Sequence, residues 1–271
     1  MKRATVLLSL LALIVTACVT SPTGRRQLML VSESQAISAS REAYLAQITE
    51  LSRTGKLVTD PLVLRRIDTI TGRLIAQAIE MRPDTADWEW SVEVIDEPDT
   101  VNAWCMAGGR MAIYTGLIQK LDATDDEIAQ VMGHEIAHAL ANHTAERMSV
   151  AMATNLGVAA IGVLSDRSEA MSAAAMAAAL AVQLPNSRSS ESEADRIGIE
   201  LAARAGYDPN AAVTLWQKME QNAGGGPPAF LSTHPSPGQR QATLAALAPE
   251  MMRYYDPAGD HPVYRLRRTA P

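Results

Sequence analysis

Aromatic side chains are scarce in this sequence. They make up 4% of its 271 residues, and phenylalanine occurs once. Alanine is abundant instead, so the interior is expected to consist of closely packed helices. There are only two cysteines, Cys18 and Cys105, which excludes a disulfide framework. Positive charge is not in excess: the formal net charge is −6, which argues against non-specific nucleic-acid binding. There is no Walker loop, no dinucleotide fingerprint and no serine triad. Past the N-terminus there is no apolar run of membrane-spanning length, because Asp166-Arg167-Ser168-Glu169 interrupts the Ala/Met/Gly-rich stretch from Val150 to Leu184. A buried helical hairpin is expected there, with a membrane-dipping segment as the alternative. What remains is an ordinary globular composition, 47% hydrophobic and 20% charged, long enough for one good-sized core or two small ones.

The N-terminus reads as a targeting segment. Lys2 and Arg3 precede a short apolar run and then small residues, the pattern of a secretory signal peptide. Val15-Thr16-Ala17-Cys18 resembles a bacterial lipobox, in which Cys18 is lipidated and becomes the mature N-terminus. Val19 in the next position matches lipoproteins sent on to the outer membrane. A lipidated Cys18 leaves Cys105 without a partner. Cys105 is then either a buried apolar side chain in a strand or a nucleophile.

The expected organisation is a signal peptide over 1–17, a polar linker over 18–30, one domain over 31–255 and a polar tail over 256–271. Ser32 and Gln35 form a capping-box pattern, opening a helix to about Leu51. Asp60-Pro61 opens a second helix, which Pro83 ends. The alternating WEWSVEVI at 88–95 predicts a strand, and VNAWCM and RMAIYT around Gly108-Gly109 predict a β-hairpin. Thr124 and Glu127 form a second capping-box pattern. A helix from about Ser190 closes at Gly206, and Asp208-Pro209 opens another to about Gln221. Gly224 to Pro228 is a connection, followed by STHPSPGQR and an Ala/Leu helix. The fold class is α-rich α+β.

Residues 131–143 read VMGHEIAHALANH. His134 and His138 are four apart, about 40° around a helix, so both imidazoles leave one face and can share a zinc ion. Glu135 sits where a carboxylate reaches a water at that metal without being a ligand. This is the HExxH arrangement. His143 falls about 180° from His134 on a continuous helix. It is therefore expected to be solvated or to interact with the helix dipole. A metzincin pattern fails, because Ala141 and Thr144 stand where glycine and histidine are required. A third ligand must come from elsewhere. In SSESEADRIG, Glu191 and Asp195 share a helical face, one suited to binding zinc and the other to holding a ligand histidine in its tautomer, in either order. Glu193, about 200° from Glu191, is expected to point away.

HEIAHALANH followed by ESEADRIG resembles the gluzincin endopeptidases, the family of the CAAX prenyl proteases and HtpX, and in particular its periplasmic LoiP-like lipoprotein branch. The resemblance runs from about residue 29 to 245. It implies a zincin-type helix beside a small β-sheet, one Zn2+ per chain, Glu191 as third ligand and Asp195 as its supporter. Asn102, Ala103 and Trp104 through Gly108 resemble the family's edge strand, which holds an extended peptide by backbone pairing; Ala107 stands where that pattern has proline. STHPSPGQR resembles the family's C-terminal element. Its His234 either stabilises the oxyanion or occupies the metal's open position at rest. Arg240 orients an acid, binds substrate or lies on the surface.

The expected function is a lipid-anchored zinc endopeptidase on the periplasmic face of the outer membrane. By resemblance its substrates are misfolded or unassembled envelope proteins, presented as extended or unfolded segments, alongside envelope quality-control partners. The competing expectations are a zinc-stabilised, chaperone-like client-binding lipoprotein without catalysis, and an intramembrane prenyl protease. Glu135 argues against the first, and the shortage of long apolar spans against the second.

Overall fold

A computed structural model describes residues 18–164, 188–222, Phe230, Ser232, His234 and 237–267. The signal-peptide segment, most of the expected Ala/Met/Gly-rich hairpin and the Gly224–Pro228 connection lie outside the described residues.

The fold is helix-rich, with two small sheets. A short hairpin of β1 (Cys18–Thr20) and β2 (Arg26–Leu28) comes first. Helix α1 (Glu33–Arg53) starts at a complete capping box in which Ser32 accepts from Gln35 N and the Gln35 side chain accepts from Ser32 N. Helix α2 (Pro61–Met81) is capped by Asp60, with proline in its first turn, where a missing N–H costs nothing. The strands β3 (Ser91–Ile95), β4 (Ala103–Met106) and β5 (Arg110–Tyr114) form one sheet in the order β3-β5-β4, with β3–β5 parallel and β4–β5 antiparallel. Helices α3 (Thr115–Gln119), α4 (Asp125–Leu140) and α5 (His143–Leu164) follow. A helix described over 188–204 is α6; α7 (Ala211–Gln221) and α8 (Pro237–Met251) follow.

Alternation explains little of the sheet, because β3 is buried at every position. It is covered on both faces and shielded at its outer edge by the 56–58 segment, where Val58 N donates to Val94 O at 2.9 Å. Among the described residues β4 has no strand partner on its outer edge, and it packs against α4. The tight turn from β4 to β5 needs glycine at both Gly108 (φ +86°) and Gly109 (φ +81°), and any Cβ on Gly109 would strike the Trp90 ring at 2.4 Å. One core joins α2 (Ile67, Ile70, Leu74), the sheet (Val92, Val94, Met111, Ile113) and α4 (Ile128, Met132, Ile136).

Two segments expected to be peripheral are packed. The 18–30 segment folds as the β1–β2 hairpin, with Ser21 and Gln27 buried. In the tail, Tyr264 N donates to Gly72 O at 3.0 Å, Arg267 N donates to Trp90 O, and Tyr264 and Leu266 pack on the core. Gly72 permits this close approach, since a Cβ there would lie 2.7 Å from Tyr264 O.

Candidate metal centre

Helix α4 carries the histidines, and its ends are well fixed. Thr124 and Glu127 complete a capping box, and Asp125, Asp126 and Glu127 place three acids against the positive end of the helix dipole. Glu127 also accepts from Thr214 and Lys218 of α7, each at 2.7 Å. At the other end, Arg82 Nη1 donates to Leu140 O at 2.9 Å and Gln27 Nε2 to Ala141 O at 2.7 Å. Gly133 and Gly198 let α6 cross α4 with backbones touching: a Cβ on Gly198 would lie 2.7 Å from the His134 backbone. That crossing brings the acids of α6 to the histidines.

His134 Nε2 and His138 Nε2 are 3.0 Å apart. Glu191 Oε2 lies 3.4 Å from the first and Glu191 Oε1 3.5 Å from the second. His234 Nδ1 lies 3.3 Å from His134 Nε2 and 3.0 Å from Glu191 Oε2. All four side chains are buried, with one donor atom from each within 4.8 Å of the others. The outer ring nitrogens are already committed. His134 Nδ1 is 3.0 Å from Asp195 Oδ1 and 2.8 Å from Arg240 Nη2, which also lies 3.0 Å from His134 Nε2; the acceptor-only carboxylate favours the proton on Nδ1. His138 Nδ1 meets His143 Nδ1 at 2.8 Å. Two ring lone pairs then face each other beside a carboxylate in a buried space. The N,N,O chemistry of this set suits zinc.

The two histidines shift in opposite directions. Burial pushes His138 well below its usual value. Burial also presses on His134, as does Arg240, but hydrogen bonds to Asp195 and Glu191 carry it up. Glu191, despite its burial, is held far below the usual carboxylate range by its three histidine neighbours.

Glu135 Oε1 is buried without a hydrogen-bond partner and lies 3.2 Å from His234 Nε2. His234 stacks on Phe230, with ring centroids 4.6 Å apart. Its Nδ1 thus stands among the metal donors and its Nε2 beside Glu135. Arg240 is neither on the surface nor in the substrate cleft. It is 4% exposed, donates from Nε to Asp195 at 2.9 Å and from Nη1 to Glu191 at 3.1 Å, and lies 4.1 Å from the Trp216 ring.

The cleft in front of the donors has a volume of about 460 Å3 and includes Glu135, His138 and His234 in its wall. Asn102, Ala103, Trp104, Cys105 and Met106 line one side. Tyr114 N donates to Asn102 O at 3.1 Å. The alternation of antiparallel pairing therefore turns the backbone groups of Ala103 and Cys105 away from β5, toward the free edge. Asn102 Oδ1 accepts from Ala103 N at 3.0 Å. Trp104 packs edge-on against Tyr44. Gly108 sits in the turn against Ile37, outside the cleft wall. Cys105 is buried, and burial raises its thiol well above the usual value, which removes the thiolate a nucleophile needs.

One expectation fails here. His143 is not solvated: it is 1% exposed, between His138 and Glu193. The continuous-helix projection breaks because α4 ends at Leu140 and Asn142 adopts φ +56°, restarting the chain as α5 at His143. Glu193 does face away from Glu191, yet it is buried, 3.0 Å from His143 Nε2 and paired with Arg25. Helix α6 is enclosed on both faces. The signals available were the unexplained third histidine and a third acid in one short segment.

The chain matches the model of Peptidase family M48 over residues 61–248. It is 40% identical over 162 residues to the mitochondrial metalloendopeptidase OMA1 of Arabidopsis thaliana, covering 58% of this chain and 31% of the relative. It is 31% identical over 247 residues to the mitochondrial metalloendopeptidase OMA1 of Homo sapiens, covering 85% of this chain and 46% of the relative. It is 28% identical over 235 residues to the beta-barrel assembly-enhancing protease of Escherichia coli, covering 82% of this chain and 47% of the relative. The chain thus spans between about a third and a half of the length of these relatives.

Proposed function

The chain belongs to peptidase family M48, and on that premise we propose that it is a zinc-dependent endopeptidase of the cell envelope, cutting extended segments of misfolded or unassembled proteins. The observation that carries this reading is the buried meeting of His134, His138 and Glu191 with Glu135 beside them, in the wall of a cleft edged by β4. His134, His138 and Glu191 are the proposed metal ligands. Asp195 fixes the tautomer of His134, and Arg240 holds Asp195 and Glu191 in register.

Zinc, when bound, supplies a Lewis acid for the scissile carbonyl and lowers the pKa of the attacking water. Glu135 takes the proton of that water and returns it to the leaving amine. The Ala103 carbonyl and the outward backbone groups of Cys105 pair with an extended substrate, adding it to the sheet as a further strand. Extended segments fit such an edge and compact folds do not. In the arrangement described, His234 fills the place of a fourth donor, so a substrate carbonyl reaches the site only after its ring moves. Once displaced, its N–H is available to the oxyanion.

The envelope assignment rests on the N-terminus. Relatives carry names from mitochondria and from β-barrel assembly. A positively charged start, an apolar run and the lipobox-like Val15 to Cys18 favour a lipoprotein held through Cys18 at the periplasmic face of the outer membrane. The catalytic unit is one domain over 31–255, with the hairpin and the tail packed onto it. Among the described residues no helix is long and apolar enough to cross a membrane. A client-binding role coexists with this reading but does not replace it, because a binder has no use for a carboxylate at Glu135.

The test is digestion of casein by the full chain, with metal content measured alongside. Activity is expected to track one zinc per chain, to vanish with a chelator and to return with zinc. A protein carrying full zinc that leaves casein and unfolded β-barrel protein uncut contradicts the reading.

A further inference from the structure

The β1–β2 hairpin ends in a buried polar cluster that catalysis as described does not use. Arg25 donates from Nη1 and Nη2 to Glu146 at 2.7 and 2.6 Å, and from Nε to Glu193 at 2.7 Å. Ser21 and Thr23 hydroxyls donate to the other Glu193 oxygen. Gln27 donates to Glu146 and to Ala141 O. Glu193 Oε2 in turn lies 3.0 Å from His143 Nε2, and His143 Nδ1 lies 2.8 Å from His138 Nδ1. Glu146, Glu193 and His143 are all buried.

The order of donors along this chain of contacts is forced. Four donors (Ser21, Thr23, Arg25 and His143) converge on Glu193, which can only accept as a carboxylate. His143 Nε2 therefore carries a hydrogen. A neutral imidazole has one donor and one acceptor, so His143 Nδ1 accepts. His138 Nδ1 must then donate to it, which leaves the His138 Nε2 lone pair free, beside His134 Nε2 and Glu191.

We infer that the N-terminal hairpin is a working part of the metal centre: through Glu193 and His143 it fixes the tautomer and orientation of His138, and His143 and Glu193 are positioning residues for that ligand. The inference rests on the reading of His138 as a metal ligand. The first residues after Cys18 thus set the geometry of the site, and a chain with a displaced hairpin loses the support of one ligand.

The experiment compares zinc affinity, by chelator competition, for the full chain and for Glu193→Gln, His143→Leu, His143→Gln and the hairpin variant Arg25→Gln. A partner that orients a metal-bound histidine contributes about 10–100-fold in affinity. Glu193→Gln and His143→Leu are expected to weaken zinc binding by that factor. His143→Gln, which keeps an acceptor and a donor, is expected to recover most of the loss. Long-range proton–nitrogen NMR of the zinc-loaded wild type is expected to show His138 protonated at Nδ1 and His143 at Nε2, a signature that a purely structural role would not set. Should Glu193→Gln or His143→Leu fail to fold, Arg25→Gln and the wild-type spectrum still decide. Variants within twofold of wild type, or His143 protonated at Nδ1, overturn the relay. A wild type that binds no zinc overturns the metal site itself, a separate result.

Discussion

The two histidines of the HExxH helix are held from opposite sides by different devices. His134 is held directly: the Asp195 carboxylate meets its Nδ1 at 3.0 Å, and Arg240 of α8 locks that carboxylate to Glu191. His138 is held at one remove, through His143 to Glu193 and on to the N-terminal hairpin. Both solutions end at an acceptor-only carboxylate that has lost its water, and both carboxylates come from α6. The difference lies in distance along the chain. The first device draws on residues between His134 and Arg240, whereas the second ties the metal site to the first few residues after Cys18.

Deleting what the two devices share should have the largest effect. Glu191→Ala takes away a donor rather than a support, and its zinc affinity should fall by more than the roughly 100-fold limit expected for a supporting partner. Calorimetry with zinc would check this; an affinity within tenfold of wild type would place the third ligand elsewhere. Next comes a test of independence. Asp195→Asn and Glu193→Gln are each expected to cost about 10–100-fold in zinc affinity. Because they act on different histidines, the double variant should lose the product of the two factors, within about 0.5 kcal/mol of additivity. A double variant no worse than the poorer single one would mean that both devices act as one unit.

The smallest effect expected is on stability. Gly198→Ala forces a methyl to within 2.7 Å of the His134 backbone. Overpacking of this kind costs about 1–3 kcal/mol, visible as a lowered melting temperature of the metal-free protein. An unchanged melting temperature would show that the α4–α6 crossing has slack, and with it both devices.

How much of this was legible depended on local spacing. The HExxH pair and the Glu191–Asp195 pair are each four residues apart on one helix, so helical geometry alone put them on common faces. The capping boxes at Ser32 and Thr124, the proline start at Pro61 and the glycine turn at Gly108-Gly109 are also local, and each matches an element boundary. His143 escaped because projecting it required α4 to continue, and a single left-handed residue, Asn142, ended it. Glu193 escaped because a helix was credited with one buried face, and α6 has two. The hairpin and the tail read as polar segments. Yet the hairpin's polar side chains meet partners more than a hundred residues away, as in Arg25 to Glu146 and Glu193, and the tail's backbone bonds to Gly72 and Trp90, which no spacing rule reports. Arg240 became interpretable only once α8 placed it behind Asp195.

The central claim is that Glu135 is the general base of a metal-dependent peptidase. The most direct test is casein cleavage by the full chain beside Glu135→Gln, each first shown to hold one zinc. Loss of the general base is expected to lower the rate by at least about 100-fold with zinc binding intact. A variant that keeps its zinc and cleaves at the wild-type rate would contradict the account.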